Sequence, residues 1–308
     1  MYGPPGHPPS EMHNDNDDIV LASLADGPSI GPPQAKPRRW GARLSIVVIA
    51  LLVLGPLLWR WLPTEIARWY AASAMEKHLE GDAEAAEQDF QNALRWDPQS
   101  AAIHRQSGDF HAELGQYEQA VDFYSRAVEL DATDPLNLMQ RSVALQHLER
   151  HSEAIRDWEE IVDLLRDKHQ TQEAIALNGL AYARALGNTE LDLALDEVNQ
   201  ALQFAGPNPA MLDTRGYIQF LRGDYQAARH DLDRAVDSME TQLAAVSQIK
   251  SYSDSRQHEL DIQQMQQSTA VLRYHRALAL EHLGEAELAD RDLQRVKQLG
   301  FEPGDDLF

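Results

Sequence analysis

Residues 101–134, AAIHRQSGDFHAELGQYEQAVDFYSRAVELDATD, restrict this chain more than any other stretch. Apolar and small residues recur there every three to four positions. They run through Ile103, Ser107, Gly108, His111 and Leu114, then Tyr117, Ala120, Val121, Tyr124, Ala127, Val128 and Leu130. That period predicts two amphipathic helices. Gly115 lies between them and ends the first, because it takes positive φ with no Cβ to clash.

The segment resembles a tetratricopeptide repeat, a helix–turn–helix unit of 34 residues. That family has a small residue at the eighth position, glycine near the fifteenth, alanine at the twentieth, an aromatic at the twenty-fourth and alanine at the twenty-seventh. Counted from Ala101, these are Gly108, Gly115, Ala120, Tyr124 and Ala127. The pattern recurs. Residues 67–100 carry Ala74, Gly81, Ala86, Phe90 and Ala93. Residues 135–168 carry Ser142, Ala154 and Trp158, but Glu149, Arg150 and His151 stand where a glycine turn is usual. A fourth unit, residues 174–208, has Gly179, Tyr182, Gly187, Ala194 and Ala201, with one extra residue in its turn. A fifth, residues 209–242, has Gly216, Gly223, Tyr225, Ala228, Leu232 and Ala235. A sixth starts near Ala270, with Ala277, Leu283, Gly284, Ala289 and Leu293. The resemblance covers residues 67–300 and implies an all-α, right-handed α-solenoid of about six repeats.

The remaining segments read differently. Residues 1–39 are rich in Pro and Gly and are expected to be a disordered tail. Residues 40–62 are expected to form one transmembrane helix. An uncharged run from Leu44 to Trp59 is bracketed by Arg43 and Arg60, with Trp40, Trp59 and Trp61 suited to the interfaces. Lys36, Arg38, Arg39 and Arg43 precede the span, against Arg60 and Arg68 after it. This bias favours a cytoplasmic N-terminus and an extracytoplasmic body. Repeats one to five then occupy 63–236 and the sixth 270–300. Between them, 237–269 reads as a helical arm of two lengthened helices, with a turn at Tyr252–Ser255, or as a disordered loop. In the tail 301–308, Phe301, Leu307 and Phe308 are expected to fold back on the sixth repeat or to serve as a peptide ligand.

Charge narrows the partners. Residues 1–62 hold five basic and five acidic side chains, so the net charge of −22 resides in the rest of the chain. Such a body repels nucleic-acid phosphates. No Gly-rich phosphate loop, GxSxG nucleophile motif or HExxH pattern occurs, and there is no cysteine. His147 and His151, and His275 and His282, share helical spacing but lack further ligands for zinc. The expectation is a chain that is not an enzyme, takes no cofactor, metal or small-molecule substrate, and binds proteins.

The resemblance also implies where. In the family the first helix of each repeat lines a concave face, through roughly its second, fifth, ninth and twelfth positions. Here these include Arg105, Asp109, Met139, Val143, Asn178, Tyr182, Asp213, Tyr217, Phe220 and Tyr274. The Lys–Asn pair with which one branch of the family clamps a C-terminal carboxylate does not occur at these positions. The resulting expectation is a membrane-tethered scaffold or adaptor that binds extended or helical segments of other proteins. A substrate-recruiting subunit of a membrane-bound enzyme, or a chaperone-like holdase near a secretion channel, fits the same residues.

Overall fold

The computed structural model describes residues 40–248 and 255–302, without the side chains of residues 40–47, 50–54, 56–60 and 255–257. Among the described residues there are twelve helices and no strand: α1 (Trp40–Leu79), α2 (Ala83–Trp96), α3 (Ala101–Glu113), α4 (Tyr117–Leu130), α5 (Pro135–His147), α6 (His151–Leu165), α7 (Gln170–Leu186), α8 (Leu191–Ala205), α9 (Pro209–Leu221), α10 (Tyr225–Gln248), α11 (Ser255–His282) and α12 (Ala286–Gln298). From α2 onward each helix packs on the next, and α3 also meets α5, α7 meets α9 and α9 meets α11. This is a solenoid of helix pairs. The described residues divide into two units between Leu57 and Leu58.

Among the described residues no helix is long and apolar enough to cross a membrane. The span expected at 40–62 falls within α1, with most of its side chains outside the described residues. The helix does not end at residue 62. It continues through Pro63 to Leu79 and supplies the first helix of the first pair. An interior proline forfeits one helical hydrogen bond. Beyond it, Ala67, Ala71 and Ala74 pack with Ala86 and Phe90 of α2, and this shared core holds the helix together. The expectations for 1–39, for the turn within 249–254, and for Leu307 and Phe308 lie outside the described residues. Around 237–269, α10 extends to Gln248 and α11 begins at Ser255, so helix flanks the undescribed stretch on both sides. Phe301 is half-buried against Ala270 and Val296.

Sequence chemistry explains the helix ends. Asp134 and Asn208 accept hydrogen bonds from the backbone N–H of Leu136 and Ala210, and Pro135 and Pro209 follow as first helical residues. The turn after α3 closes with Gly115 at φ 71°, its N–H donating to Ala112 O and that of Gln116 to His111 O. The turn after α5 makes the same two bonds, from Glu149 to Gln146 and from Arg150 to Leu145, with Glu149 held at φ 57°. A left-handed conformation costs a residue with a Cβ about 1 kcal/mol. Glu149→Gly is therefore expected to raise unfolding stability by about 0.5–1 kcal/mol, read as a higher urea midpoint. After α7 the left-handed residues are Asn188 at φ 44° and Glu190 at φ 48°, not Gly187. Gly187 instead allows close approach, since a Cβ there would lie 3.1 Å from His151 Cβ.

Three pairs of helices are clamped in one way. Arg141 and Asp157, Arg215 and Asp231, and Arg276 and Asp292 each stand 16 residues apart and join by two parallel N–H···O bonds of 2.6 to 2.8 Å. In the first pair Ser73 Oγ donates to Asp89 at the same separation, and Lys77 adds its ammonium. The aspartates are buried and the arginines half-buried, so these are interior straps joining the two helices of a repeat.

A different cluster ties the third pair to the fourth. Arg184 of α7, buried, donates to Glu159 of α6, to Glu190, and to Glu197 of α8. One guanidinium faces three carboxylates. Burial pushes Glu197 up to about 7 against the pull of Arg184, and Glu159 and Glu190 add to the rise. The folded chain therefore binds this proton more tightly than the unfolded chain does. Glu197 stabilises fully below its unfolded value, and that contribution is lost as pH rises through about 7. Glu197→Gln should flatten the pH dependence of unfolding between about 4.5 and 7 by on the order of 1–3 kcal/mol relative to the parent. Urea titrations at several pH values check this, and parallel pH profiles would overturn it.

Candidate peptide-binding surface

Side chains of α1, α3, α4 and α5 enclose a groove of about 430 Å³. Its lining includes Met75, Asp109, Glu113, Tyr117, Tyr124, Gln140, Val143 and His147. Asp109 anchors the floor. It accepts from Tyr124 Oη at 2.8 Å and from Gln140 Nε2 at 3.1 Å. Burial raises the Asp109 carboxyl despite these bonds and the charge of Arg105. The Tyr124 hydroxyl is also raised, by burial and by the adjacent carboxylate. Tyr117 and His147 stack face to face at 4.2 Å and 8°, so a stacked pair of rings borders the groove. Burial lowers His147, which keeps that ring neutral near pH 7. Val143 is 40% exposed on the same face.

A second patch lies on α7, α9 and α11. Asp213 is buried, with its Oδ1 2.8 Å from Nδ1 of the buried His275. A carboxylate can only accept, so Nδ1 carries the proton. Tyr217 stacks on His275 at 5.0 Å and lies nearly parallel to Phe220 at 6.4 Å. Tyr274 sits 6.3 Å from His275, and Phe220 meets His282 edge to face. The Tyr182 hydroxyl is raised by burial first and then by the charge of Asp213, which places it beside this patch. Asn178 has a buried Oδ1 with no hydrogen-bond partner among the described residues.

The residues expected to line one face thus divide. Asp109 and Val143 line the groove, and Tyr182, Asp213, Tyr217, Phe220 and Tyr274 gather in the second patch. Arg105 is committed elsewhere. Its Nη1 donates to Asp134 at 2.7 Å and to Asn137 at 3.2 Å, strapping α3 to the start of α5. Met139 is half-buried against the central core. Tyr117, Gln140 and His147 were not expected in the groove. Tyr117 and His147 are the first residue of α4 and the last of α5, 30 positions apart, so the register of neither points to the other. Of the spaced histidines, His147, His275 and His282 pack against aromatic rings, and His151 lies against Gly187. Among the described residues no group of three or more His, Cys, Asp or Glu is placed to hold a metal ion.

Residues 78–138 match the family model described as tetratricopeptide repeat. PilW, a type IV pilus biogenesis factor, superimposes with a TM-score of 0.55 at 14% identity, over 76% of this chain and 93% of its own. PilF of Pseudomonas aeruginosa gives 0.51 at 16% identity, over 80% and 96%. MamA of Desulfovibrio magneticus RS-1 gives 0.50 at 17% identity, over 57% and 97%. At such identities the likeness is one of fold. No curated protein sequence matches this chain significantly.

Proposed function

We propose that this tetratricopeptide-type solenoid is a non-catalytic scaffold or adaptor that binds peptide or helical segments of partner proteins. The observation that carries this reading is the groove between α3 and α5. Its lining comes from the first helices α1, α3 and α5 of successive pairs together with Tyr117 and Tyr124 of α4, and it sets exposed apolar and ring surface beside carboxylates. Stacked helix pairs serve other repeat proteins as extended recognition surfaces. The second patch, with Tyr182, Tyr217 and Phe220, offers further ring surface.

The uncharged run from Leu44 to Trp59 supports a membrane tether for the solenoid. The basic residues ahead of that run support a cytoplasmic N-terminus with the body on the other side. Photo-crosslinking tests the scaffold reading in the full chain. A crosslinking residue in place of Val143 should capture defined protein partners in cells, and one in place of the exposed Glu129 should not. Equal capture from both positions would remove the groove from the account. Catalytic turnover by the purified chain would remove the scaffold. A C-terminal reporter active on only one side of the membrane tests the tether, and a cytoplasmic signal would reverse the orientation.

A further inference from the structure

The chemistry of the groove between α3 and α5 specifies more than a peptide. Among the described residues none of its lining side chains is Lys or Arg, although two are carboxylates, Asp109 and Glu113. Asp109 is half-buried at the floor, with two neutral donors, Tyr124 and Gln140. Arg105 cannot turn into the groove without leaving Asp134 and Asn137. Glu113 stands at the rim with its side chain 59% exposed, and His78 Nε2 lies 2.6 Å from its carboxylate. The Tyr117–His147 stack borders the same space. Neutral ring faces attract a guanidinium or ammonium, and a guanidinium can extend a stack of flat rings.

We infer that this groove selects a peptide segment bearing one arginine or lysine, whose cationic end meets Asp109 and Glu113 while its stem lies along Tyr117, His147 and Val143. The inference rests on the scaffold reading above and adds the chemistry of the partner. The occupant is a basic, partly apolar segment, which matches in sign the acidic excess of the body. Arginine satisfies the site best, because its planar fork can pair with a carboxylate and stack on the rings together. The unfavourable burial of the Asp109 carboxylate is then relieved on binding, since a cation replaces the water lost.

Selection of randomised short peptides on the purified full chain tests this. Recovered binders should share a basic residue at one fixed position. Changing that residue to glutamine should weaken binding by about tenfold or more, as expected for loss of a charged hydrogen-bonding partner. Asp109→Asn keeps an acceptor for Tyr124 and should cost the basic peptides a similar factor while leaving the glutamine peptides unaffected. Glu113→Gln, at the rim, should cost less and should reduce the salt dependence. Two results separate the levels of the claim. Binders that lack a fixed basic residue, or survive Asp109→Asn unchanged, yet are abolished by the bulky, cationic Val143→Arg, leave the groove reading standing and overturn this inference. Binders indifferent to Val143→Arg overturn both, and so does the absence of any binder.

Discussion

Replacing Asp231 with alanine is expected to destabilise the fifth helix pair by about 3 kcal/mol, because it leaves the Arg215 guanidinium half-buried without its carboxylate. The strap is bidentate, and its Asp231 side chain is only 2% exposed. Among the described residues Arg215 would retain only its bond to Asn199 Oδ1 of α8. The loss belongs to the stranded charge more than to the pair. The double change Arg215→Met with Asp231→Leu should therefore lie within about 1 kcal/mol of the parent, since apolar residues of similar volume can replace a buried ion pair. Solenoids unfold in parts, so hydrogen exchange in α9 and α10 is the proper reading beside the global urea curve. A cost under about 1 kcal/mol for Asp231→Ala would show that water already reaches the arginine and that the strap adds little.

That strap illustrates what the sequence conceals. The helix pairs were legible because apolar and small residues keep a period of three to four, and because Gly115, Gly223 and Gly284 mark turns that need positive φ. Gly108 at the expected small position was legible for the same reason, and a Cβ there would sit 2.5 Å from the Tyr124 ring. An arginine and an aspartate 16 apart are not legible in that way. Each reads as a surface charge among 49 acidic residues, and their pairing depends on how the turn between them folds the helices together. Only the recurrence of the same offset at 141/157, 215/231 and 276/292 would have exposed it. Arg105 shows the opposite case. Register put it on the groove face, but a long side chain can leave its own face, and Asp134 with Asn137 draws it to the seam. That α1 runs on through Pro63 was not legible, because a proline lowers helix stability locally, while the core packing of Ala67, Ala71 and Ala74 acts on the whole segment. Much of the candidate site was unreadable because it joins separate repeats. Tyr117 meets His147, and Asp213 meets His275, across 30 and 62 residues.

The seam between α6 and α7 should be the most sensitive to volume. A Cβ on Gly179 would lie 2.5 Å from the Trp158 ring, closer than any real contact of that kind. Trp158 is 6% exposed and belongs to the central core with Leu177, Leu180 and Ala181. Gly179→Leu should therefore cost about 3 kcal/mol, the upper part of the range for overpacking a dense interior. Trp158→Ala alone should cost about 3–5 kcal/mol through the cavity it leaves. If the glycine exists to admit the indole, each change relieves the defect of the other. The leucine partly fills the space the indole vacated, and the missing ring removes the clash. The double variant should then be more stable than the sum of the two losses predicts, with a coupling of about 1–3 kcal/mol. A double-mutant cycle measured by urea unfolding decides it. Additivity within about 0.5 kcal/mol would mean that the helices simply move apart, and that the fit between Gly179 and Trp158 does not hold the third pair to the fourth.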